Sequence, residues 1–238
     1  MTTTFGRPHL SLRNPPFPYK AVDEYHLDTQ TIDGKRHYLV EGKAYPSVTT
    51  VLSSLSKQGL QAWVNKVGEE KAERIKTAAA NRGTNLHQMC EDYLHNKPDF
   101  YKGMMPNIVM LFNQVKPWLD EHVDFVYGNE LALYSHSLYT AGRCDLIAQI
   151  DGKPAILDFK TSTNEKKEEW IESYFLQVTA YSIMFEEMYG IKIEDIHIFI
   201  CNETAPFSHF QKVPAQYSER TQQVFHEYYQ KNSIKTIV

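Results

Sequence analysis

Three residues between positions 145 and 160 have the types and spacing that chemistry needs. Asp145 stands in a loosely alternating stretch. Asp158 follows 13 residues later, at the end of the mostly apolar run 155–159, and Lys160 lies two positions on. Side chains alternate faces along a strand, so Asp158 and Lys160 project to the same side. Between the two aspartates, Asp151-Gly152 is a hairpin turn signal. A turn centred there sets position 145 opposite position 158. Neighbouring carboxylates repel and are stable together when a cation sits between them. Oxygen ligands favour a hard divalent ion such as Mg²⁺ or Mn²⁺. A lysine beside them would orient a water or stabilise charge on a phosphate in flight. Phosphodiester hydrolysis asks for such a set, whereas an ordinary ion-pair cluster at a strand end would use the same residues, and spacing alone leaves both readings open.

The elements that must position these residues can be read from periodicity. Residues 1–22 contain no Asp or Glu but hold Arg7, Arg13 and Lys20, and Pro15, Pro16 and Pro18 break any helix, so an extended arm is expected. The lead-in runs irregularly to about residue 30. A hairpin is expected at Glu41-Gly42, and Ser47 starts a helix through Val51 and Leu52. A second helix spans 59–80 with Trp63, Val64 and Val67, and Thr84 caps a third carrying Leu86, His87, Cys90, Glu91, Tyr93 and Leu94. A further helix covers 105–121, followed by strands at 124–134, 138–150 and 155–160. The period returns to 3.6 over 165–189, through Trp170, Ile171, Tyr174, Val178, Tyr181, Phe185 and Met188, with Gly190 ending that helix. A strand at 196–201, a partner at 207–213 and a helix at 216–231 complete the chain. The expected architecture is α/β, a mixed sheet flanked by helices. Residues 1–80 form an N-terminal arm and helical extension, and 81–238 the core.

Composition narrows the function classes. The chain has 238 residues with 42% apolar and 23% charged, which excludes a disordered or collagenous chain. A net charge of −4 excludes a wholly basic coating but permits a local basic groove. Cys90, Cys144 and Cys201 are odd in number and scattered. That argues against a disulfide framework and for a reducing compartment, with each thiol a small buried hydrophobe. No apolar run could span a membrane, so a cytoplasmic protein is expected, with mitochondria the alternative. No two glycines are separated by one residue and no GxSxG occurs, so neither a dinucleotide loop nor a nucleophile elbow is present.

Five segments in order carry a resemblance. Gly142-Arg143-Cys144-Asp145, then Asp158-Phe159-Lys160-Thr161-Ser162, then Gln177-Val178-Thr179-Ala180-Tyr181 resemble the PD-(D/E)XK nuclease superfamily. The likeness is to its RecB-like exonuclease branch, with G-x-x-D, D-x-K-T-S and Q-x-x-x-Y motifs. Arg82-Gly83-Thr84 with His87 and Glu91 resembles that branch's upstream helix. Residues 45–52 resemble the opening of the mitochondrial genome maintenance exonuclease group and related phage exonucleases. The resemblance implies a restriction-endonuclease-like core. It implies Asp145, Asp158, His87 and the backbone carbonyl of Phe159 as metal ligands, Lys160 as catalytic, and Glu130 in an auxiliary acidic role among the catalytic residues. Arg82, Gln177 and Tyr181 would hold substrate and site geometry. It implies Mg²⁺ or Mn²⁺ and, with three scattered cysteines, no iron–sulfur cluster.

The function so implied is a metal-dependent DNA exonuclease acting on single strands or ends, of the kind used in DNA recombination and repair. A single-strand-binding or annealing protein is a conceivable partner, and no membrane is involved. The rivals are a structure-specific endonuclease and a non-cleaving DNA-end-binding module. His87, Glu91 and His95 share one helix face, which raises a zinc alternative, although HxxxExxxH is not the HExxH spacing. Lys66, Lys71, Arg74, Lys76, Lys166 and Lys167 interleave with glutamates and suit a solvated surface. Trp63, Tyr174 and Tyr181 suit either base stacking or core packing.

Overall fold

The computed structural model describes residues 10–232, apart from the side chains of Lys57 and Gln58. The first nine residues of the expected arm lie outside the described residues.

A three-stranded antiparallel sheet comes first: β1 (Thr29–Ile32), β2 (Lys35–Val40) and β3 (Lys43–Pro46). Its turns are Asp33-Gly34 and Glu41-Gly42, all four residues at positive φ, which suits the right-handed twist of the flanking strands. The second turn is the expected hairpin, whereas β1 replaces what the sequence suggested was irregular lead-in. Ser47 then caps α1 (Val48–Val67), its Oγ accepting from the Thr50 amide at 3.0 Å.

The helices that follow differ from expectation. One unbroken helix, α2 (Glu69–Leu94), runs through Arg82, Gly83 and Thr84, and the only break between 48 and 94 is Gly68, at φ 86. Thr84 is therefore mid-helix and caps nothing. Gly83 and Asn85 beside it are weak helix formers, so packing of Leu86, Met89, Cys90, Tyr93 and Leu94 rather than local propensity carries the helix through, and Gly68 supplies the backbone conformation that separates two helices. α2 also crosses position 80 without interruption.

The core is a five-stranded mixed sheet in the order β4 (Val123–Ser135), β5 (Thr140–Ile150), β6 (Lys153–Ser162), β7 (Asp195–Asn202), β8 (Ser208–Lys212). All neighbours are antiparallel except β6 and β7, which α4 (Glu172–Tyr189) links as a crossover. Gly190 ends α4 at φ 68, as its position suggested. Helix α1, α4 and α5 (Ser218–Asn232) cover one face through Ile147, Ile156, Ile196 and Ile198. Helix α2 and α3 (Pro106–His122) cover the other through Leu146, Ala148, Leu157 and Phe199. All three cysteines are free and buried. Among the described residues no helix is long and apolar enough to cross a membrane.

Candidate active site

The β5–β6 hairpin turns at Asp151-Gly152, and its register pairs Ile150 with Lys153 through Leu146 with Leu157. Asp145 and Asp158 are the next pair in that register, the one the turn dictated. The ladder stops before them and the two strands part. Where a ladder would continue, the Phe159 amide donates to Asp145 Oδ2 at 2.8 Å.

A second irregularity lies on the other side of Asp145. Asn129 pairs with Leu146 and Leu131 with Cys144, which leaves Glu130 across from Asp145. Glu130 has φ 53, a conformation uncommon for a residue with a side chain. The sheet turns over at this point: Leu146 packs with α2 and α3, whereas Cys144, two residues away, packs with α4. The break in alternation sends Asp145 and Glu130 toward α2, where His87 meets them. The ligand atoms of His87, Glu130 and Asp145 all lie within 4.8 Å of one another. His87 Nε2–H donates to the Phe159 carbonyl at 2.7 Å, and its Nδ1 is 3.5 Å from Asp145 Oδ1.

The other half of the site faces α4. Asp158 Oδ2 is 2.5 Å from Lys160 Nζ, and Asp158 Oδ1 accepts from Gln177 Nε2 at 3.1 Å. Lys160 also sits over the Tyr174 ring, 5.3 Å from its centroid. The expected cross-strand carboxylates are thus in register, but the aspartates meet different partners. Asp158 turns to Lys160 and Gln177, and it is Glu130 that joins Asp145 and His87. Positive φ at Glu130 has no signature in the sequence, so that grouping could not be anticipated from spacing.

Electrostatics reflects this crowding. Burial would lower the His87 pKa, but the charge and hydrogen bond of Asp145 override it and push the imidazole up to about 9. Asp145 itself is penalised by burial, yet His87 and Lys160 hold it below the usual carboxylate range. Burial pushes Glu130 up to about 7, with Asp145 adding repulsion. Burial likewise raises Asp158 to about 6 against the opposing pull of Lys160. Carboxylates and a backbone carbonyl converge on a point that an imidazolium already neutralises, with an ammonium beside the next carboxylate. That donor chemistry fits a hard divalent cation.

The remaining expected residues are placed as follows. Tyr181 is buried against β5, and a Cβ at Gly142 would lie 2.7 Å from Tyr181 Cε1 and 3.0 Å from its Oη. The glycine of G-x-x-D is what allows the tyrosine of Q-x-x-x-Y to close over the strand. Gly142→Ala is expected to lower stability by about 1–3 kcal/mol, read as a fall in thermal midpoint. Adding Tyr181→Leu should recover part of the loss, and strictly additive effects would disprove the contact. Arg82 Nη1 donates to Glu203 Oε2 at 2.5 Å and to Thr163 Oγ1 at 3.3 Å, tying α2 to the ends of β6 and β7. His95 stands apart, at 3.0 Å from the Glu91 carbonyl and stacked on Tyr19, so it does not join His87.

Residues 110–236, more than half of the chain, match the family model of the PD-(D/E)XK nuclease superfamily. The chain belongs to that superfamily. Its mixed sheet flanked by helices is the PD-(D/E)XK domain, and membership implies a nuclease that hydrolyses phosphodiester bonds of DNA with divalent metal. The matched span contains Glu130, Asp145, Asp158, Lys160, Gln177 and Tyr181 but begins after Arg82 and His87. No curated protein matches the chain. Among solved structures, the crystal structure of SSO0001 overlaps with TM-score 0.31 and 12% identity, covering 60% of this chain and 73% of that one. So distant a likeness says nothing of this PD-(D/E)XK site.

Proposed function

We propose that this chain is a Mg²⁺- or Mn²⁺-dependent exonuclease acting on single-stranded DNA or DNA ends. The observation that carries the reading is the meeting of two half-sites across Phe159. One is His87, Glu130 and Asp145; the other is Asp158, Lys160 and Gln177. The Phe159 amide and carbonyl bond one half, and its two neighbours in β6 supply the other.

Asp145, Asp158, the Phe159 carbonyl and His87 are the ligands we assign, with Glu130 beside them as a further acidic group. When bound, the ion supplies Lewis acidity and lowers the pKa of its water. The chain's own groups do the rest. Lys160, a compact ammonium with three donors, is positioned to hold the attacking water and a phosphate oxygen in line. Gln177 fixes the Asp158 rotamer from α4, and Tyr181 packs the strand on which Asp145 stands. Arg82 uses Nη1 on Glu203 and Thr163 and its Nε is buried, which leaves Nη2 for a phosphate at the mouth of the site.

The test is digestion of single strands labelled at the 5′ or the 3′ end, beside a closed circular single strand, in the presence of Mg²⁺. Stepwise shortening from one end with the circle intact is the expected outcome. Cleavage of the circle would make the protein an endonuclease, and binding without cutting would make it a DNA-end module.

A further inference from the structure

One side chain near the site defies the periodicity that predicts it. Trp170 falls on the apolar stripe of the expected helix 165–189, so burial is expected. Instead the helix begins two residues later, and Trp170 ends a 3-10 turn at Glu168–Trp170 with 59% of its surface exposed. It is more exposed than any tyrosine or phenylalanine among the described residues.

Its surroundings are specific. Ile171, next in the chain, is buried in the core and anchors the turn. Glu168 at the start of the turn pairs with Lys212 at 2.8 Å. Lys167 Nζ lies over the indole, 5.3 Å from the ring. Tyr174, four residues beyond Trp170, is the ring that carries Lys160. Along the chain, Trp170 thus stands four residues before the ring that carries Lys160, with an ammonium over one face of its indole.

We propose that Trp170 is a stacking platform for a base of single-stranded nucleic acid, with Lys167 placed for the adjoining phosphate. This rests on the nuclease reading for its location, and it adds a reason for preferring single strands. An indole offers a broad π-face to any base, but a base paired within a duplex has both faces taken by its neighbours. An ammonium beside the ring follows the backbone without reading sequence. A single exposed apolar residue is ordinary on a protein surface. The lysine on its ring and the anchored turn four residues before Tyr174 distinguish this one.

The experiment measures binding on the full chain without metal, so that it does not depend on cleavage. The probes are a short fluorescent single-stranded DNA and an abasic strand of the same length. Trp170→Ala is expected to weaken binding of the base-bearing strand about tenfold, with Trp170→Phe close to the parent and binding of the abasic strand unchanged. Equal binding by Trp170→Ala and the parent, an equal loss on the abasic strand, or no binding by the parent would overturn the platform. A parent that binds through Trp170 yet never cuts with Mg²⁺ would overturn the nuclease reading and leave the platform standing.

Discussion

Lys160→Ala is expected to reduce turnover of single-stranded DNA about 10³-fold at saturating Mg²⁺, the scale seen when one preorganised donor to a developing charge is removed. Asp158 Oδ2 lies 2.5 Å from the lysine and is almost fully buried, so the same change strips a carboxylate of its cation. Leaving a buried charge unpaired costs about 3 kcal/mol, and the carboxyl can escape part of that cost by taking up a proton. The variant should therefore lose thermal stability as well as activity. Lys160→Arg separates the two effects. A guanidinium restores the charge opposite Asp158, and with it most of the stability, but its planar fork cannot reproduce the placement of a single ammonium. Its turnover should stay near that of the alanine variant. Steady-state rates on end-labelled DNA beside a melting curve for each variant decide the matter. Parent-like turnover in a folded Lys160→Ala would remove the lysine from the chemistry.

The second large effect is the pH dependence of metal affinity. His87, raised to about 9, carries a proton at neutral pH, and Glu130, raised to about 7, carries one over much of the acid range. A cation that takes their place must expel those protons. Affinity for Mg²⁺ should then rise about tenfold per pH unit between 7 and 9, where one proton is displaced, and more steeply below 7, where Glu130 and Asp158 add theirs. Above 9 it should level off. The metal-free protein should behave in the opposite sense. A raised imidazole pKa stabilises the fold fully below the unfolded value near 6.5, and that contribution is lost as pH climbs through 9. Raised carboxyl pKa values add to the trend, because ionising Glu130 and Asp158 in place becomes a cost as pH passes through 6 and 7. Calorimetric titration from pH 6 to 9 in buffers of different ionisation enthalpy counts the protons directly. An affinity flat across that range would show that His87 and Glu130 keep their protons and stand outside the metal site.

How much of this was legible follows from which interactions are local. The β5–β6 register up to Leu146 and Leu157 could be read because a two-residue turn fixes register by simple symmetry, whereas the parting of the strands just before Asp145 and Asp158 could not. The same dipeptide at Asp33-Gly34 signals the β1–β2 turn equally well, yet β1 is short and exposed and gives no alternation to support it. Thr84 misled because a good capping residue is also a tolerable helix residue, and nothing nearby in sequence says that α2 continues past it. Glu130 and Trp170 are harder cases. The backbone flip at Glu130 is set by the parting of β5 from β6 and the approach of α2, all distant in the chain. Trp170 matched the helical period, but Ile171 is anchored in the core and the helix starts at Glu172, two residues too late to bury it. Tertiary contacts, rather than propensity, decide both.

One donor in this site is not a side chain at all. Phe159 contributes its amide to Asp145 and its carbonyl to His87, while its ring is buried with Leu157 and Phe199. Any residue that fills the same hydrophobic volume leaves both polar groups where they are. Genetic drift at position 159 is consequently steered by volume, whereas the electrostatic duties of its peptide units lie beyond the reach of any point mutation except one to proline, which would remove the amide. A catalogue of tolerated substitutions would record a greasy filler at the very place where the backbone joins the two halves of the candidate site.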